Sequence, residues 1–205
     1  MADGHGEVKR GRKFDQVLNG ARDIFMSDGF EGASVDDIAR AAGVSKATLY
    51  SYFPDKRLLF MEVAKTECIR QAESAVETID MSLPSEVVLT EAAWQMVNFF
   101  TSDFGQRVFR LCVAESDRFP ELGREFYESG PALVREKLIH FIKVGISRGE
   151  LAVDDLTLAA DQFSELCKAD LFPRLVFSMD KSFDDAQKRR IVEGAVKTFL
   201  ARYAV

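Results

Sequence analysis

Between residues 45 and 52 the chain sets hydroxyls and one ammonium group around a single leucine. Ser45, Lys46, Thr48, Tyr50 and Ser51 are polar, and Leu49 points the opposite way on a helical spacing. Such groups donate and accept hydrogen bonds and bring a positive charge, which suits base edges and phosphate oxygens. Bond-breaking chemistry is poorly provided for. The two histidines, His5 and His140, stand alone, and neither a glycine-rich phosphate loop nor a nucleophile paired with a base is recognisable. The three cysteines, Cys68, Cys112 and Cys167, are odd in number and widely spaced within apolar helical patterns. They suggest neither a disulfide framework nor a metal site; inert packing and a redox-sensing Cys112 or Cys167 both fit. No catalysis, metal or cofactor is expected.

The polar stretch needs elements to hold it, and the surrounding sequence supplies them. Phe14, Val17, Leu18, Ala21, Ile24 and Phe25 form one apolar stripe of a first helix, closed by the glycine-rich turn at 28–32. Ser34 is a good N-cap for a short helix over 35–42, with Asp36 and Asp37 favourably placed in its first turn and Gly43 closing it. Ser45 can cap a second short helix over 46–52, which Pro54-Asp55 ends. Two such short helices are marginal alone; Val44 and Leu49 packing against Ile38, Ala39 and the first helix would complete a three-helix unit. That arrangement fits a helix-turn-helix, with the second short helix in the major groove. A helical hairpin with a merely solvated polar face has the same spacing.

The rest of the chain also reads as helical: 56–79, 84–102, 106–117, 121–148 with a break at Gly130-Pro131, 155–178 and 184–203. No strand, repeat, signal peptide or membrane span is expected, so the cytosol is the expected location. Of 205 residues, 47% are hydrophobic and 29% charged, with a net charge of −6. Residues 1–57 hold nine Lys/Arg and nine Asp/Glu, so the whole deficit lies in the remainder. A neutral head on an acidic body is compatible with a nucleic-acid contact confined to the head.

The run at 34–56, SVDDIARAAGVSKATLYSYFPDK, resembles the DNA-binding signature of the TetR family in its Ile-Ala, Ala-Gly-Val-Ser and Leu-Tyr-x-Tyr-Phe elements and the lysine that follows. The resemblance implies that Ser34, Tyr52 and Lys56 hold phosphates. It also implies that Ser45, Lys46, Ala47, Thr48 and Tyr50 present the reading face. Asp36 departs from the pattern, because some relatives carry a basic, base-contacting residue there; a carboxylate near phosphates should repel them, so the first helix of the motif is expected to contribute little readout. Lys9, Arg10, Arg12 and Lys13 form a basic stretch that reads either as an arm reaching an adjacent groove or as a solvated helix entrance. Further along, Arg110-Leu111, Ala114-Glu115, the run at 118–122 and that at 126–131 resemble the AefR-like branch of the same family.

The implied architecture is all-α, with a helix-turn-helix domain over 1–55 and a helical effector-binding and dimerisation domain over 56–205. Its implied function is that of a ligand-responsive regulator, a repressor that binds a pseudo-palindromic double-stranded DNA operator as a homodimer and is released by a small apolar or amphipathic effector. Ten of the 17 Phe fall between Phe99 and Phe177, and they read as core packing or as the wall of a pocket. The pocket reading places the effector near Trp94, Phe99, Phe109, Cys112, Phe163 and Cys167. Glu115 and Arg118 would be its polar handle, or else a structural ion pair. The apolar stripe of the last helix, including Ile191, Ala195 and Phe199, would join Phe163 on the preceding helix at a two-fold interface, or be buried within one chain. A helical adaptor that binds only protein is the rival to the regulator, and the two differ in salt-dependent retention on DNA.

Overall fold

The computed structural model describes residues 11–117 and 119–205, without the side chains at 72, 75, 76 and 122. His5, Lys9, Arg10 and Arg118 therefore lie outside the described residues. The chain divides into two compact units, one ending at Thr66 and the other running from Glu67 to Val205. The division falls within a helix, later than the boundary expected at residues 55 and 56. The reason is that Leu59, Phe60 and Val63 are buried with the head. Phe60 meets Phe25 and Phe30 edge-on at centroid distances of 5.0 and 5.2 Å.

In the first unit, α1 (Arg12–Gly32) continues through the glycine turn rather than ending at it, bending at Gly29, whose φ of 72° suits a residue without a Cβ. Next come α2 (Val35–Ala41) and α3 (Lys46–Tyr52). The turn between them depends on Gly43, at φ 63°. There Gly43 N donates to Arg40 O and Val44 N to Ala39 O, closing α2. Val17, Ala21, Ile38 and Leu49 are fully buried, so both short helices are held by α1 and not by their own propensity. α4 (Lys56–Thr78) follows.

The second unit contains α5 (Ser85–Thr101), α6 (Asp103–Glu115), α7 (Pro120–Tyr127), α8 (Leu133–Ser147), α9 (Leu156–Leu166), α10 (Leu171–Val176) and α11 (Asp185–Tyr203). The break expected at Gly130-Pro131 is instead a π-helical turn, Glu128–Ala132, that carries α7 into α8. The single helix expected over 155–178 is two, α9 and α10, separated at Asp170, whose φ is 62°. Two arginines hold that aspartate, Arg190 at 3.2 Å and Arg174 at 3.8 Å. Among the described residues no strand forms; an isolated antiparallel bridge joins Leu151 to Ala204. No helix of the described residues is long and apolar enough to cross a membrane. The core of this unit lies between α5, α8, α9 and α11, where Ala93, Val97, Ile142, Ala160, Phe163, Val192 and Phe199 are buried.

Candidate functional site

Each short helix begins on a serine hydroxyl. Ser34 Oγ accepts from Asp37 N at 3.1 Å and donates to Asp37 Oδ2 at 2.5 Å. Ser45 Oγ accepts from Thr48 N at 3.1 Å and pairs with Thr48 Oγ1 at 2.9 Å. The Ser34 hydroxyl and then the Arg40 guanidinium, 2.7 Å away, hold the Asp37 carboxyl below its usual range. Leu49 is 1% exposed, whereas Tyr50 is 47% exposed, and Ser45, Lys46, Ala47 and Ser51 are exposed with it. One face of α3 is thus anchored in the core and the other is a strip of hydroxyls, a methyl and an ammonium group. The expected reading residues share that outer surface, with Thr48 half-buried at its edge.

Two of the expected phosphate ligands have local tasks as well. Tyr52 packs edge-on against Phe14, with ring centroids 5.8 Å apart. Lys56 Nζ donates to Phe30 O at 2.8 Å and Ala33 O at 3.1 Å and lies 4.5 Å from the centre of the Phe30 ring. Two of the three ammonium hydrogens are therefore committed to main-chain carbonyls. At the start of α4, Asp55 Oδ1 accepts from Arg57 N at 2.8 Å. This carboxylate caps the start of α4.

A contact that sequence reasoning did not anticipate joins the two short helices. Lys46 Nζ lies 2.5 Å from Asp36 Oδ1. Asp36 is thus not an isolated negative charge but the partner of the first residue of α3. Its signal in the sequence is Asp36 itself, an acidic residue beside the expected reading face.

In the second unit the expected pocket residues are divided among several contacts. Phe109 and Phe100 both meet Phe172 edge-on, at 5.0 and 5.9 Å, with Lys168 Nζ over two of those rings. Phe99 adjoins Phe100 at 6.1 Å. Trp94 lies under the Arg189 guanidinium, 5.5 Å away. Glu115 is half-buried at the end of α6. Phe163 packs on Phe199 at 5.2 Å, both in the solid core. A void of ≈ 60 Å³, lined by Ala92, Met96, Val134, Leu138 and Phe141 among others, contains none of the expected pocket residues. It has room for a water or two rather than for an effector. Cys68, Cys112 and Cys167 are all buried, and burial pushes each thiol up to about 12.

The expected interface residues Phe163, Ile191, Ala195 and Phe199 lie in the core of the second unit. All four are buried within a single chain. The stripe of α11 packs on α5 and α9 of the same chain.

Gln106 was not anticipated. It is buried on α6, its Nε2 donates to Phe100 O at 2.5 Å, and its Oε1 has no hydrogen-bond partner among the described residues.

A sequence profile described as "Bacterial regulatory proteins, tetR family" matches residues 17–63, and one described as "AefR-like transcriptional repressor, C-terminal domain" matches residues 87–205. The chain is 27% identical to a TetR-family transcriptional regulator from Mesorhizobium loti MAFF303099, with a TM-score of 0.82 over 97% of this chain and 100% of that one. It is 34% identical to the flavonoid-responsive regulator FrrA, with a TM-score of 0.66 over 95% and 98% of the two chains. It is also 27% identical to the HTH-type transcriptional regulator YdeS of Bacillus subtilis (strain 168), over 93% of this chain and 94% of YdeS. The capped short helices, the outward polar face of α3 and these likenesses agree: the chain belongs to the TetR family of DNA-binding transcriptional regulators, with an AefR-like C-terminal domain, and is not an enzyme.

Proposed function

We propose that this regulator is a homodimeric repressor that binds a pseudo-palindromic operator through α3 and leaves it when an aromatic, hydroxyl-bearing effector binds the second unit. The observation that carries the DNA half is the exposed face of α3, with Ser45, Lys46, Ala47, Thr48 and Tyr50 around buried Leu49. Ser34, Tyr52 and the remaining ammonium hydrogen of Lys56 flank it as phosphate ligands. Two-fold pairing sets half-sites about 34–36 Å apart, or a multiple of a helical turn. With the inward faces of α9 and α11 consumed by the core, pairing falls to their outward faces, where Leu158 is exposed.

The effector reading rests on the aromatic group of Phe99, Phe100, Phe109 and Phe172 and on the unused acceptor of Gln106 beside them. Apolar walls with one buried acceptor suit a planar apolar body carrying a hydroxyl donor, and FrrA, the 34% identical relative, is described as flavonoid-responsive. The effector must favour the DNA-incompetent state, since equal affinity for both states shifts nothing.

Sequencing the DNA retained from a genomic fragment pool tests the first half. Retention should fall steeply with salt, and both Lys46→Ala and Tyr50→Phe should weaken it without unfolding the protein. A thermal-shift screen across flavonoids, long-chain acyl compounds and drugs tests the second. Stabilisation by phenolic compounds, accompanied by release of DNA, is the expected result.

A further inference from the structure

Asp36 and Lys46 stand at the surface of the DNA-reading head, their side chains 59% and 54% exposed, with Oδ1 and Nζ 2.5 Å apart. An exposed pair of this kind contributes little to folding stability. Its position is also unfavourable for Lys46, a cation at the first residue of α3, where the helix dipole prefers negative charge. The neighbouring Asp37 makes the contrast plain. Its carboxylate turns back to Ser34 and Arg40 within its own helix, whereas Asp36 reaches across to α3. A carboxylate aimed at phosphates would repel them, so the arrangement makes sense only where a donor faces it.

We propose that Asp36 and Lys46 together read one G·C base pair in each half-site. In the major groove guanine offers two acceptors, N7 and O6, and its cytosine offers the N4 amino donor beside them. The pair on the protein offers the complement. Lys46 Nζ has two hydrogens left after its bond to Asp36 and gives them to guanine, while Asp36 Oδ2 accepts from cytosine N4. Asp36 also keeps the ammonium group over the bases and off the sugar-phosphate backbone, where it would bind every sequence alike. The residue that departs from the family pattern thereby becomes a specificity-determining one. This inference rests on α3 being the groove-facing helix.

The test measures equilibrium binding of the full-length protein to a retained operator fragment, substituted one base pair at a time. Wild type, D36N, K46M and the double variant are compared at two salt concentrations. In the wild type one G·C pair per half-site should be preferred about tenfold over A·T. D36N and K46M should each flatten the preference at that pair and at no other, and the double variant should be no flatter than either. Thermal unfolding followed by circular dichroism should be unchanged, separating lost reading from lost folding. Two results overturn the proposal: D36N leaves the preference at every position intact, or it raises affinity for all duplexes equally, as removal of a plain repulsive charge would. Wild-type protein that ignores duplex DNA altogether would instead remove the regulator reading, and this inference with it.

Discussion

The main chain of Gly20 lies directly against Ala42: a methyl group at residue 20 would stand 2.5 Å from the Ala42 amide nitrogen and 2.8 Å from its Cβ. This is where α1 supports the end of α2, just before the turn at Gly43. Both neighbours are backbone or a short side chain, so neither can swing aside. Gly20→Ala should separate the two helices and cost about 1–3 kcal/mol by overpacking. Urea unfolding of the variant should reveal the loss, and retention on DNA should fall with it.

Phe199 tests whether α11 serves the fold or the interface. It is 1% exposed and touches the rings of Phe163 and Tyr203 at 5.2 and 4.8 Å. Phe199→Ala should cost about 3–5 kcal/mol. The expected outcome by circular dichroism is early melting of the helical signal. A variant that keeps its melting temperature and merely dissociates by light scattering would return Phe199 to the subunit interface.

The cysteines should be silent in the native state. With thiols pushed up to about 12 by burial, almost none is thiolate at neutral pH. Maleimide labelling followed by mass spectrometry should find no adduct in native protein and three after denaturation. Rapid native labelling of Cys112 or Cys167 would revive a redox-sensing role.

Glu150 supplies a pH-dependent cap. Its Oε2 accepts from Ser85 N at 2.6 Å, at the start of α5, where Pro84 offers no side-chain cap. The Ser85 hydroxyl, then its amide and then Arg148 hold this carboxyl below its ordinary 4.5. A depressed folded value means that the contribution is complete above about pH 4.5 and lost as the pH falls through the folded value. Glu150→Gln should therefore lower the melting temperature by a constant amount from neutral pH to that point. Below it the two proteins should converge.

The head was legible because its rules are local. Ser34 and Ser45 are caps, and Gly43 is the residue a left-handed turn requires, so both short helices could be placed from the sequence. The interval between α9 and α10 was not. The apolar spacing runs on from Phe163 and Leu166 to Leu171 and hides the break; its one local sign is Pro173, in the first turn of α10, and the left-handed Asp170 is held by Arg190 from another helix. The cap that Glu150 gives Ser85 bridges 65 positions and has no local signature. A stripe such as that of Ile191, Ala195 and Phe199 reads alike whether it meets its own chain or another, and only packing decides. The aromatic cluster of the second unit was visible as composition, but its division between a solid core and the group beside Gln106 was not.

The two carbonyl bonds of Lys56 have a mechanical side. They tie the first residue of α4 to Phe30 and Ala33, which lie between the bend at Gly29 and Ser34. A tug along α4 is therefore delivered to the entrance of α2, with the serine that starts that helix one position further on. Within the first unit, one ammonium group thus fastens the start of α4 to the chain that leads into α2.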